Sequence, residues 1–311
     1  MIEYLFEAAK LIVCAHAACG LVGNVAVGKG IMWAASAKEY GEHPSLAFQD
    51  VKSLQDGLDQ ALGAYPPRFI LWGESNHGDL RQLAFLAEPR TLKILADKGV
   101  RRIFVEWPLQ DQHEMDWVGL LRIQDQFRSS GTSTCGRKVG QQKDILMTQL
   151  LKNANAVGIR IMASDVGNGK ATAAYWLNYL AMSVESRFLS VLSKTAANVW
   201  ESIGTKALIK YRLGKDKKVA EYINRHTLSG PSVVYWGARH ISNDLPTSLR
   251  RSLHGALTLS FCTPPAAGEE EGIAKVMHES GKGMTDHYGL PVKPLDFLLN
   301  LSTATVQKCA A

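Results

Sequence analysis

Four short apolar runs, each followed by an ionisable side chain, constrain the fold of this chain more than any other feature. Stretches with helical periodicity separate the runs. A short apolar run bounded by glycine, proline or polar residues is typical of a strand buried on both faces. Strands that alternate with helices indicate βαβ units, so we predict an α/β fold with a mainly parallel sheet. The four runs are Phe69–Trp72, Ile103–Val105, Ile159–Ala163 and Val233–Trp236.

The segments around these runs complete the predicted order of elements. Apolar side chains at helical spacing predict helices, and Pro66-Pro67 ends the first of them. A polar stretch rich in Gly, Ser and Thr predicts a mobile loop, and a long helical region predicts an insertion that could cover the active site. The predicted helices are Val51–Ala64, Leu80–Lys98, Gln110–Phe127 and Ile145–Ala156, the loop is Ser129–Gln142, the insertion covers about 171–210, and Ala256–Phe261 is a further strand.

Residues 1–44 are predicted to be an apolar, helical N-terminal segment, and residues 45–311 an α/β catalytic domain. Between Leu5 and Ala35 the chain is almost wholly apolar or small, although glycines interrupt the run. A signal peptide begins with positive charge, whereas Glu3 and Glu7 precede the first lysine. Three readings stay open: a buried helical hairpin, a segment that contacts a membrane through residues 5–35, and a cleaved signal.

Composition limits the compartment and the partners. The five cysteines are an odd number without Cys-x-x-Cys spacing, which argues against a zinc knuckle and a disulfide scaffold. We therefore expect free thiols in a reducing, intracellular setting, or in a protein delivered as an effector. The net charge is +6, but the basic residues are dispersed and lack interleaved aromatics, so nucleic acid is not an expected partner.

Ionisable residues follow the carboxyl end of each predicted strand. Glu74 and His77 follow the first strand, Glu106 the second, Asp165 the third and His240 the fourth. Ligands of open parallel α/β sheets bind beyond the carboxyl ends of the strands. We therefore expect these side chains to converge on one rim, with sharp backbone turns at the glycines that flank the first pair.

Histidines beside carboxylates suit hydrolysis. A histidine can take a proton from water near neutral pH, and a carboxylate stabilises the resulting imidazolium. Two histidines and two carboxylates could equally bind a divalent cation, such as zinc, manganese or iron, that activates water. The predicted catalytic residues, which are also the candidate metal ligands, are Glu74, His77, Glu106 and His240.

Several short motifs resemble the erythromycin-esterase, ChaN-like and TIKI superfamily. Gly73–Gly78 resembles its Gly-Glu-x-x-His-Gly motif, Glu106 its strand-end glutamate, and Val234–His240 its final strand and histidine. Lys215–Ala220 is similar to the Arg-Asp-x-x-Met-Ala helix, with lysine in place of arginine, and Asp286–Phe297 resembles the C-terminal turn. The resemblance implies a three-layer α/β sandwich. The predicted supporting residues are Asp165, from the strand ends, together with Arg212, Asp216 and Arg239.

The resemblance implies three different activities. Esterase-like members use histidine to activate water, TIKI members are metal-dependent proteases, and ChaN-like members bind haem. The leading hypothesis is a hydrolase of an ester or amide bond in a small-molecule or peptide substrate, in which His77 is the general base. His240 would stabilise negative charge or join a metal site, and Asp216 would position it. The alternatives are a haem- or ligand-binding protein without catalysis, and a bacterial toxin or effector that hydrolyses a target.

Overall fold

The computed structural model describes about half of the chain, in several ranges. They are residues 50–74, 80–108, 134–166 and 213–262, with short pieces at 185, 189–191, 193–196, 198–200, 203–204, 293, 295–300 and 304–308. At 107–108, 134–144, 262, 305 and 307 the description covers the backbone alone. The predicted N-terminal segment, helix Gln110–Phe127 and most of the predicted insertion lie outside these ranges.

A seven-stranded sheet forms the centre of the molecule, in the order β3-β2-β4-β1-β5-β6-β7. Six strands run parallel, and β7 pairs with β6 in the antiparallel direction. The prediction of an α/β fold with a mainly parallel sheet is confirmed. The strands are β1 (Phe69–Glu74), β2 (Arg102–Pro108), β3 (Arg160–Asp165), β4 (Ser232–Gly237), β5 (Leu257–Cys262), β6 (Phe297–Asn300) and β7 (Thr305–Lys308).

Helices cover both faces of the sheet, which gives the predicted three layers. Each strand sends alternate side chains to opposite faces, and each face has its own apolar core. One core contains Trp72, Phe85 and Phe261, whose rings pack together. The first face carries α1 (Val51–Leu62), α2 (Leu80–Ala87), α3 (Pro89–Asp97) and α4 (Thr134–Ala156), and the second carries α5 (Asp216–His226), α6 (Ala238–Ser242) and α7 (Leu249–Ser252).

The sequence accounts for the ends and the buried side of α1. The Asp50 carboxylate accepts a hydrogen bond from the Ser53 amide at 3.0 Å, which satisfies one of the unpaired N–H groups of the first turn. Leu54, Leu58 and Leu62 recur every fourth residue and are buried against the sheet. The helix ends at Leu62, within two residues of its predicted end.

Two sequence predictions about helices were wrong. The predicted helix Leu80–Lys98 is divided into α2 and α3, because Pro89 lacks an N–H and begins a new helix. The predicted polar loop is helical from Thr134 onward, as part of α4. Its lysine, arginine and glutamine residues favour helix, and they outweigh the two glycines that suggested a loop.

The prediction of a membrane-contacting segment can be compared with the structure only over the described residues. None of the helices within the described ranges is long and apolar enough to cross a bilayer. The apolar segment 5–35 lies outside those ranges, so membrane contact through it stays a prediction. The same holds for the division of the chain at residue 44 and for the insertion over about 171–210.

Candidate functional site

The site begins where β4 ends between β2 and β1. Although β4 is the fourth strand along the chain, it inserts between the first two, so the residues that close β1 and β2 flank Gly237. Glu106 of β2 turns one carboxylate oxygen, Oε2, to the backbone N–H of Gly237, which donates to it at 2.9 Å. Gly237 immediately precedes α6. Glu106 therefore holds the start of the helix that carries the site histidine.

His240 lies one turn along α6 and is only 8% exposed. Its Nε2 atom lies 3.7 Å from Oε1 of Glu106, the carboxylate oxygen that is not bonded to Gly237. This separation is longer than a direct hydrogen bond and short enough for a strong electrostatic interaction. Glu106 therefore both fixes the backbone of α6 and faces the ring that α6 presents.

Asp216 holds the opposite edge of the same imidazole. It is the first residue of α5, and its side chain is completely buried. Oδ1 of Asp216 lies 2.8 Å from Nδ1 of His240. An ionised carboxylate only accepts hydrogen bonds, so beside an ionised Asp216 the proton of a neutral His240 ring lies on Nδ1 and the lone pair on Nε2. The N-terminus of α5 favours the negative charge of Asp216.

Trp236 completes the surroundings of the imidazole. The Trp236 side chain is fully buried in β4, and its ring lies 5.3 Å from the His240 ring, centroid to centroid. The two rings are inclined by 76°, which is an edge-to-face arrangement. The imidazole is thus held by two carboxylates at its edges and by an indole against the ring.

This arrangement can transfer protons. Asp216 fixes the tautomer and the orientation of His240, and Glu106 faces the nitrogen that accepts or releases a proton. When His240 is protonated at both nitrogens, a carboxylate lies beside each N–H group. A histidine oriented by a buried acid is the arrangement that general acid–base catalysis requires.

The predicted strand-end residues do not all lie on the same face of the sheet. By the alternation along the strands, Glu106 follows Phe104 onto the face covered by α5–α7. Glu74 follows Trp72, and Asp165 follows Ala163, onto the opposite face. All three lie at the carboxyl ends of parallel strands of one sheet, so they share a rim, but they approach it from two sides.

Glu74 and Asp165 are both buried at that rim. Glu74 is 8% exposed and stands beside Gly237 in the register of β1 and β4. Asp165 is 6% exposed and stands beside Pro108 in the register of β3 and β2. A carboxylate this deeply buried needs polar or charged partners, which makes both positions suited to a functional role. Their catalytic and supporting roles stay predictions.

The remaining predicted site residues have the following positions. Arg239 lies in α6, where its carbonyl oxygen accepts a 2.7 Å hydrogen bond from the Asn243 side chain and helps to end the helix. His77 and Arg212 lie outside the described residues, so their predicted roles stay predictions.

A metal ion would require ligands beyond those that the described residues bring together. Within the described ranges, no group of three or more His, Cys, Asp or Glu side chains has the arrangement of a metal site. Glu106 and His240 are the two predicted ligands that lie face to face there. A complete set would also need the predicted ligands Glu74 and His77, so the metal site stays a prediction.

The sequence predicted a sharp backbone turn at Gly73, and this prediction was wrong. Gly73 lies inside β1 and forms no sharp turn. A Cβ atom at this position would lie 3.0 Å from both Cα and Cβ of Ala238, the first residue of α6, and 3.0 Å from Oγ of Ser260. Contacts of 3.0 Å are tighter than most Cβ atoms make, so glycine lets α6 approach β1 this closely without either element having to shift. The glycine therefore sets the depth at which α6 holds His240.

Comparison with known proteins gives limited likenesses. No family model matches the chain, and no curated protein matches it. A structure described as "Crystal structure of bacterial protein toxins" is 17% identical with a TM-score of 0.37, over 79% of this chain and 40% of that one. The type III effector HopBA1 is 14% identical with a TM-score of 0.38, over 83% of this chain and 97% of its own. The present chain thus spans less than half the length of the first of these. Function has to be argued from the site.

Proposed function

We propose that this chain is a hydrolase that cleaves an ester or amide bond by attack of a histidine-activated water molecule, with the Glu106–His240–Asp216 cluster supplying the acid and stabilising the developing negative charge. The observation that carries the proposal is the His240 ring held between two carboxylates, at 2.8 Å from Asp216 and 3.7 Å from Glu106. Burial of the ring and of Asp216 reduces competition from bulk water and strengthens these electrostatic interactions.

Hydrolysis at such a site needs a base and an acid. A base takes one proton from water as the water oxygen bonds to the carbonyl carbon of the substrate. The bond from that carbon to the leaving oxygen or nitrogen then breaks, and the leaving group takes up a proton. His77 is the proposed base. His240, protonated at Nε2, would first stabilise the negative oxygen and then supply the proton to the leaving group.

A divalent cation is compatible with the same residues as a second route to the same reaction. Glu106 and His240 would contribute an oxygen and a nitrogen ligand, and the Asp216 contact is the type that orients metal-bound histidines. Bound zinc, manganese or iron would lower the pKa of water. Elemental analysis of the purified protein beside Glu74→Ala decides between the two routes, because a resident metal would be present in the first and reduced in the second.

The proposal is tested by turnover on a panel of activated esters, amides and short peptides. We expect the unaltered protein to hydrolyse at least one class, and His77→Ala and Glu106→Gln to lose that activity while keeping the unfolding transition. A matched control is Asp244→Asn, which removes an acidic group whose described partner is Arg251 on the surface. Full activity in both site variants would refute the proposal.

A further inference from the structure

We propose that Ser164 and Trp236 form a positioning pair that holds the His240 ring in its working orientation. The inference rests on the proposed function for its catalytic meaning and on geometry for everything else. Neither residue carries an ionisable group, and the sequence motifs gave Ser164 no role. Both side chains are completely buried.

The pair forms a continuous chain of contacts across three strands. The indole N–H of Trp236, in β4, donates to the Ser164 hydroxyl oxygen at 2.9 Å. The Ser164 hydroxyl, in β3, donates in turn to the backbone carbonyl oxygen of Val105, in β2, also at 2.9 Å. An indole N–H can only donate, and a hydroxyl both donates and accepts, so the direction of the chain is fixed.

These two hydrogen bonds link the candidate site at both of its sides. Val105 immediately precedes Glu106, so the Ser164 bond holds β2 next to the carboxylate. At the other end, the Trp236 ring lies edge-to-face against His240 at 5.3 Å. Serine therefore fixes the rotation of the tryptophan, and the tryptophan limits the rotation of the imidazole between its two carboxylates.

A purely structural serine would have a different consequence. Loss of any buried strand hydroxyl destabilises the fold, because its partners lose a hydrogen bond. Only a positioning residue also changes the ring of His240, with which Ser164 shares no bond in the described structure. Thr258 offers a matched control, since it is a buried hydroxyl of β5 that bonds to Asp296 and takes no part in the site.

The test is ¹⁵N NMR of the histidine ring nitrogens, which reports tautomer and protonation directly. The His240 signals are assigned from their loss in His240→Gln. In the unaltered protein we expect the Nδ1–H tautomer below full protonation. In Ser164→Ala and in Trp236→Phe we expect shifted or broadened His240 signals, and in the double variant no further change beyond Trp236→Phe, because both act through one chain.

Unchanged His240 signals in Ser164→Ala, together with a lowered unfolding midpoint, would overturn the proposal and leave Ser164 a structural residue. Thr258→Val should lower stability without moving these signals, and the same shift in this control would also overturn it. If Ser164→Ala does not fold, Trp236→Phe decides alone, since it removes the N–H that donates to Ser164 and keeps a smaller aromatic ring at the position next to His240. The measurement needs no substrate. Absent turnover would therefore refute the proposed function without touching this result.

Discussion

Replacing Gly73 by alanine should displace the site histidine without altering any site side chain. The added Cβ would lie 3.0 Å from Cα and Cβ of Ala238 and 3.0 Å from Oγ of Ser260. The strand has little freedom to withdraw, since Gly73 is paired with Trp236 on one side and with Ser260 on the other. The short helix α6 has to move instead, and it carries His240 with it.

The size of the effect follows from these distances. A contact of 3.0 Å is shorter than the separation of about 3.5–4.0 Å that non-bonded carbon atoms prefer, so α6 must shift outward by a few tenths of an ångström. Overpacking of this kind typically costs about 1–3 kcal/mol of the free energy of unfolding. A misplacement of about 1 Å in a catalytic group can lower the rate by roughly 10²-fold, so a shift of a few tenths of an ångström should lower it by a smaller factor. Gly73→Ala should therefore reduce turnover by more than its loss of stability explains.

Urea unfolding measures the first effect, and turnover together with the His240 ¹⁵N signals measures the second. Gly57→Ala is a matched control, because its added Cβ would meet the Val306 side chain at 2.7 Å on β7, far along the sheet from the site. The control should change stability alone. Gly73→Ala with an unchanged unfolding midpoint and unchanged His240 signals would refute the account of how β1 sets the depth of α6.

Three further outcomes are expected. Asp216→Asn should lower turnover by about 10²-fold or more at neutral pH, since the imidazole loses the negative charge beside Nδ1 and an amide, which both donates and accepts, can bond to either tautomer; a loss under twofold would contradict this. Asp296→Ala should lower the free energy of unfolding by about 1–3 kcal/mol in urea unfolding. The backbone N–H and the hydroxyl of buried Thr258 both donate to Oδ2 of Asp296, at 2.7 and 2.8 Å, and both would lose this acceptor. The hydrogen bond from Arg251 lowers the pKa of Asp244 below 3.8. Ionised Asp244 therefore stabilises the folded state, by less than about 1 kcal/mol at this partly exposed site. This stabilisation is fully present above the pKa of the unfolded chain, near 4, and is lost as the pH falls through the lower pKa of the folded state. Asp244→Asn should flatten that acid-side decline, and an unchanged pH dependence would contradict it.

The strands β1 to β5 could be predicted because each is a short apolar run with a clear end. The start of α4 could not, because glycine and polar residues between Thr134 and Gln142 suit both a loop and a solvent-facing helix. The short strands β6 (Phe297–Asn300) and β7 (Thr305–Lys308) were likewise missed, since four residues are too few for a periodic pattern.

The site could be predicted in its residues and only partly in its geometry. Strand-end positions and the family resemblance named Glu106, Asp216 and His240. Glu74 and Glu106 lie on opposite faces of the sheet because of the register of β1 and β2, which β4 separates. The order of the strands along the chain does not show that β4 lies between them. The same long-range pairing hides the Ser164–Trp236 bond, which joins residues 72 positions apart.

The central claim is that His240 takes part in the hydrolysis of an ester or amide bond by an activated water molecule. The most direct test is hydrolysis in ¹⁸O-labelled water by the unaltered protein, by His240→Gln and by a control, His254→Gln, which alters an exposed histidine. The account predicts one ¹⁸O atom in the carboxylate product from the unaltered protein and the control, and a strong loss of labelled product from His240→Gln. Equal label and rate in all three would contradict it.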